Sequence, residues 1–148
     1  MKSVILQAGT RFLVALLLVF SLHMLLRGHN LPGGGFIGGL IGATGFVIYA
    51  IACGTDSARR AIRVAPQNVA MAGLGIALAA GLMPALLGKD FFTGLWLFIG
   101  ASEGDKGLPI SSVLMFDIGV YLVVLGSVCG ILFALEQVVA TEADKGED

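Results

Sequence analysis

Residues 33–53 read GGGFIGGLIGATGFVIYAIAC, and this stretch decides the fold. It runs from Gly33 to Cys53 without one charged side chain. A helix needs roughly 20 apolar residues to cross about 30 Å of hydrocarbon, so the stretch predicts a membrane span. Three others meet the same rule: about Val4 to Leu26, about Asn68 to Leu87 and about Ile110 to Leu135. Open strands cannot span lipid, and nothing here alternates with the period of two that a barrel needs. The sequence therefore predicts an all-α integral membrane protein. It is one domain, 1–148, with about four transmembrane helices in a small bundle, at 4–26, 33–53, 68–87 and 110–135. The acidic tail, 136–148, is expected to fray.

Composition points the same way. The chain is 57% hydrophobic and 13% charged, against about 25% charged in a soluble domain. A net charge of −1 offers no clustered basic face for nucleic acid. Two Cys and two His are too few and too scattered for a metal framework. Cys53 and Cys129 lie in apolar context and read as small packing residues. Lys2 and Arg11 precede an apolar run, as in a signal peptide. The run continues through Leu26 to Arg27-Gly28-His29-Asn30 with no small-x-small cleavage site, so a retained helix is expected.

About six residues, Arg27 to Pro32, join the first two helices, which must form an antiparallel hairpin. The link after Cys53 is polar and holds Arg59, Arg60 and Arg63, and Pro66 suits the first turn of the third helix. Phe91 to Ile99 is apolar and aromatic but too short to span; it is expected to lie at the interface or against a partner. With the N-terminus inside, Lys2, Arg11, Arg59, Arg60, Arg63 and Lys145 are cytoplasmic, against Arg27, Lys89 and Lys106 outside. That bias places both termini in the cytoplasm.

Glycine, at 22 of 148, stands at about twice its usual share. Helices in lipid associate through close backbone packing, which small residues permit. Gly34, Gly38 and Gly42 recur every four residues, with Gly35 and Gly39 on the adjoining stripe. Gly73, Ala77 and Gly81 repeat the device in the third helix, and Gly126 and Gly130 in the fourth. So many flat faces imply either ordinary packing within the chain or further helices docking from outside. Gly33-x-Gly35-x-x-Gly38 also matches a dinucleotide-binding fingerprint, but that motif needs a preceding strand and a soluble sheet. Here Pro32 precedes it and an uncharged apolar helix follows, so nucleotide binding is rejected.

Asp117 is the only charge within the fourth span. A carboxylate in hydrocarbon costs several kcal/mol on most estimates. It is tolerated when it faces a polar cavity, pairs with a cation or is protonated. It would then carry protons, hold a cation in passage, or lock a neighbouring helix through an ion pair. Tyr121, at i+4, shares its face and could hydrogen-bond it. His23 reads either as a proton relay or as a hydrogen-bonded packing histidine. Arg27 and His29 sit in the tight turn and could close it, bind lipid phosphate or line a vestibule. Arg11 could pair with a partner or snorkel. No nucleophile–base set, metal cluster or cofactor cradle supports an enzyme, and no cofactor is expected. Four helices without internal repetition are few for a complete transporter.

Two stretches carry a resemblance: GHNLPGGGFIGGL at 28–40 and LMFDIGVY at 114–121. They resemble the hallmark motifs of the MnhB/MrpB family, the B subunits of Mrp-type multisubunit Na⁺/H⁺ antiporters. The resemblance covers nearly the whole chain. It implies a bacterial cytoplasmic-membrane complex whose subunits run from A to G, related to the membrane arm of respiratory complex I. That complex exchanges cytoplasmic Na⁺ for external H⁺. The resemblance also implies the A, C, D, E, F and G subunits as partners, with this chain beside the C-terminal part of A and contributing to the sodium route. The family's motif maps onto Pro32, Gly33, Gly34, Gly35 and Phe36, and its intramembrane acid onto Asp117. Starting directly at its first helix, the chain is expected to be the separate-subunit form. A transported Na⁺ would pass near Asp117. The contrasting expectation is a purely structural scaffold.

Overall fold

The computed structural model describes residues 4–28, 34–88, 90, 93–94, 96–99 and 108–145. The elements are α1 (Val4–Arg27), α2 (Gly34–Cys53), α3 (Thr55–Ile62), α4 (Pro66–Leu86), β1 (Trp96–Ile99), β2 (Leu108–Ser111) and α5 (Ser112–Lys145). Four stretches are long and apolar enough to cross a membrane, the third taking in α3 and α4. This is a multi-pass, all-α membrane protein. A helix satisfies every backbone polar group within its own segment, which is what lipid demands.

The four long helices stand in a row, in the order α1, α2, α5, α4. Helix α2 packs on α1 along one side and on α5 along the other; α4 packs on α5. Large apolar side chains cover the outside, among them Phe12, Val19, Met71, Leu86 and Ile131. Between the helices lie small residues instead. Gly34, Gly38 and Gly42 face α1, and Gly35 and Gly39 face α5. Gly73, Gly119 and Gly126 bring α4 and α5 backbone to backbone. Of the two alternatives the sequence leaves open, the structure shows the first: these stripes meet neighbouring helices of the same chain. Among the glycines with open space around them, Gly9 and Gly75 lie in helices.

Four expectations are corrected. The polar link after Cys53 folds into α3, whose Ala58 enters a core of Ala43, Ala50, Cys129 and Phe133. Arg59 anchors it by donating to the Phe133 carbonyl (2.9 Å) and lying 4.7 Å over its ring. The third span begins at Pro66, two residues before the expected start near Asn68, with the proline in the first turn as expected. Pro84 sits in its last turn, where it cannot donate to the Ala80 carbonyl; the helix closes as Leu87 and Gly88 donate to the Pro84 and Ala85 carbonyls and Gly88 takes a positive φ of 71°. Ile110 does not open the fourth helix: β2 pairs antiparallel with β1, Trp96 against Ser111 and Ile99 against Leu108. Trp, Phe and Ile favour strands, and both strands of a pair are edges, so Pro109 is admitted.

The expected fraying at Glu136 is the fourth. Helix α5 continues to Lys145, because 136–145 is free of Gly and Pro and rich in helix formers. Its 34 residues extend about 51 Å at 1.5 Å each, well beyond the hydrocarbon.

Candidate functional site

The site is built where α1 ends and α2 begins. Gly28 closes α1, its N–H donating to the Met24 and Leu25 carbonyls (3.1 and 3.2 Å). It touches Gly34 so closely that a Cβ on Gly28 would fall 2.3 Å from the Gly34 Cα. On the α5 side, a Cβ on Gly35 would fall 2.3 Å from the Asp117 carbonyl oxygen. A Cβ on Gly28 would lie 3.2 Å from Asp117 Oδ2. Three glycines therefore admit the Asp117 backbone and carboxylate to the seam of α1, α2 and α5. The carboxylate lies beside the first turn of α2, the positive end of that helix dipole.

Asp117 lies five residues into α5, about 7.5 Å along the axis at 1.5 Å per residue. It stands beside Gly28 at the end of α1 and Gly35 at the start of α2, and it is half-buried. The acid thus stands at the mouth of the seam, shallower than a helix opening at Ile110 would put it.

One turn deeper, Tyr121 is buried and its hydroxyl lies 2.8 Å from Ser21 Oγ. The Ser21 hydroxyl donates to the Gly38 carbonyl at 2.9 Å. Ser21 has one proton, so Tyr121 must be the donor in their bond. The expected Tyr121–Asp117 bond is therefore replaced: Tyr121 donates inward to α1. Gly38 and Gly42 make room for this chain of hydroxyls, a Cβ on Gly42 falling 3.0 Å from both hydroxyl oxygens. Ser21 is fully buried, and no motif of the sequence marks it. The one signal lies in the spacing of Thr10, Val14, Ser21 and Leu25, the buried residues of α1.

The other candidates are scattered. His23 is exposed and stacks on Phe20, ring centroids 6.4 Å apart. Arg27 is exposed at the end of α1, and Phe36 is 53% exposed. His29, Pro32 and Gly33 lie outside the described residues. Gly81 is buried in α4, away from the seam, and Gly130 makes only ordinary contact with Pro66 at 3.7 Å. Gly119, absent from the expected packing stripes, meets Ala77 directly: a Cβ there would fall 2.6 Å from the Ala77 nitrogen. Among the described residues no three His, Cys, Asp or Glu side chains converge as a metal site.

A family model described as a domain related to the MnhB subunit of Na⁺/H⁺ antiporter matches residues 5–130. The chain belongs to the MnhB family. This MnhB chain is 35% identical over 125 residues to a Bacillus subtilis protein named as the B subunit of a Na⁺/H⁺ antiporter, covering 84% of this chain and 87% of that one. It is 35% identical over 112 residues to a Rhizobium meliloti protein named as the probable A/B subunit of a K⁺/H⁺ antiporter, covering 76% of this chain and 11% of that one. Among solved structures, it matches the Mrp complex from Dietzia sp. DQ12-45-1b with a TM-score of 0.71 and 38% identity. The match covers 86% of this MnhB chain and 13% of the chain in that complex. The residues matched by the family model contain the whole Gly28–Gly35–Asp117 seam and the Tyr121–Ser21 pair.

Proposed function

We propose that this chain is the B subunit of a multisubunit monovalent cation/proton antiporter in a bacterial cytoplasmic membrane. It exchanges cytoplasmic Na⁺ for external H⁺ as part of that complex. Its partners are the A, C, D, E, F and G subunits, with the C-terminal part of A nearest. The relatives' names support antiport, and the Rhizobium meliloti A/B name supports proximity to A. They divide between Na⁺ and K⁺; Na⁺ is the cation in the name of the Bacillus subtilis relative. The arginines on and after α3 support a cytoplasmic position for that end and for both termini.

One observation carries the mechanism: the Asp117 carboxylate enters a seam opened by three glycines. A negative group at the mouth of such a seam draws cations from the aqueous side and strips part of their water. The Tyr121 and Ser21 hydroxyls and the Gly38 carbonyl continue polar oxygen one turn deeper. Oxygen ligands suit hard cations, and hydroxyls in a row can also pass a proton.

The scaffold reading also has a specific observation behind it. Gly35 meets the Asp117 main chain at a distance that leaves no room for a side chain, so the residue's position also serves packing. Asp117→Asn separates the two, because it keeps shape and removes charge. In inverted vesicles carrying the whole complex, Na⁺-driven proton movement is expected to fall at least tenfold while every subunit persists on a blot. Full exchange by the variant, or loss only alongside loss of subunits, refutes the cation-path role.

A further inference from the structure

At the end of the bundle opposite Asp117, α3 and the start of α4 turn against α5 and leave a groove of about 270 Å³. Arg59, Arg63 and Gln67 line its polar side; Pro66, Gly130 and Phe133 line its apolar side. Among the described residues no carboxylate lines it. The adjoining hollow differs, since Asp56 and Glu136 stand there beside Arg59 and Arg60. We infer that the groove holds the phosphate of an anionic phospholipid, with its acyl chain leaving over Gly130 and Pro66.

Four observations converge. Arg59 is fixed in place by the Phe133 carbonyl and ring, and a guanidinium has five N–H donors, so others stay available. Arg63 is exposed and forms no ion pair with any carboxylate among the described residues. It closes α3 in the left-handed region, φ 61°, a conformation usually given to glycine. Gln67 and Pro66 open α4, whose first turn favours an anion. Exposed apolar side chains also stand at the groove: Val64, which lines it, is 52% exposed, and Ile131, next in α5 to the lining Gly130, is 61% exposed.

A soluble anion has no use for the apolar half of this lining, whereas a phospholipid needs both halves. An arginine near an anionic bilayer surface contributes about 1 kcal/mol, which is about fivefold in affinity.

The test uses the full chain in neutral detergent, titrated with phosphatidylglycerol or phosphatidylcholine and read by native mass spectrometry. Wild type is expected to retain phosphatidylglycerol preferentially. Arg63→Gln should lower that preference about fivefold, and Arg11→Gln, on the exposed side of α1, should leave it unchanged. Gly130→Val fills the apolar floor without altering charge and should also weaken retention, which keeps the proposal testable should Arg63→Gln fold poorly. The proposal is overturned if the preference survives both groove variants, if Arg11→Gln lowers it equally, or if millimolar inorganic phosphate displaces the lipid.

Discussion

The seam between α4 and α5 can be tested with one methyl group. A Cβ on Gly126 would fall 2.6 Å from both the Ala70 nitrogen and the Pro66 oxygen. Non-bonded contacts are comfortable at about 3.5 Å, so Gly126→Ala must push the helices about 1 Å apart. Both atoms belong to backbone, which cannot step aside as a flexible side chain can. Overpacking of this kind costs about 1–3 kcal/mol. Alanine also favours the helix by up to about 1 kcal/mol over glycine, which would hide part of the effect. Gly75→Ala, in α4 with nothing within 4 Å, receives the same propensity gain and no clash. Subtracting one variant from the other leaves the steric effect. The assay is unfolding of the full chain in mixed micelles by SDS titration. Gly126→Ala should be less stable than Gly75→Ala by about 1–3 kcal/mol, with Gly75→Ala at or above wild type. Equal stabilities would refute the backbone-to-backbone seam.

Three further substitutions probe the polar interior and the α3 corner. Ser21→Ala leaves the buried Tyr121 hydroxyl without its partner and should destabilise the chain by about 1–3 kcal/mol. Adding Tyr121→Phe should recover part of that loss, and additive effects in the double variant would argue against the 2.8 Å pair. Arg59→Lys removes a planar group that both stacks on Phe133 and bonds its carbonyl, so a loss of about 1 kcal/mol is expected in the same unfolding assay.

Length and apolarity made the spans legible, because hydrocarbon thickness fixes how many residues a helix needs. The two stripes of α2 were legible as well: Gly34 and Gly38 meet one neighbour, and Gly35 and Gly39 meet the other. What those stripes meet was not legible, since a small residue advertises close approach without naming the surface approached. Ser21 escaped for a related reason. A lone serine in an apolar helix gives no sign of the Tyr121 hydroxyl 100 positions away. Helix α3 is only eight residues long, too short for periodicity to stand out from its charges. The β1–β2 pair joins residues on either side of a link, and the register between them is a tertiary fact. Asp117 was conspicuous as a charge among apolar residues, but its depth depends on where α5 begins, and that was set by the strand before it.

The order of the row has a consequence for synthesis. Helix α4 is made before α5, yet among the described residues α5 is the only long helix with which it shares an extensive surface. Translation at about 5–20 residues per second separates Leu86 from Lys145 by roughly three to twelve seconds. For that interval the surface that Gly73 meets in the finished fold, around Gly119 and Leu122 of α5, has yet to be made. Completion of the second half is a late event, triggered by the arrival of α5. This helix must then seat itself between α2 on one side and α4 on the other.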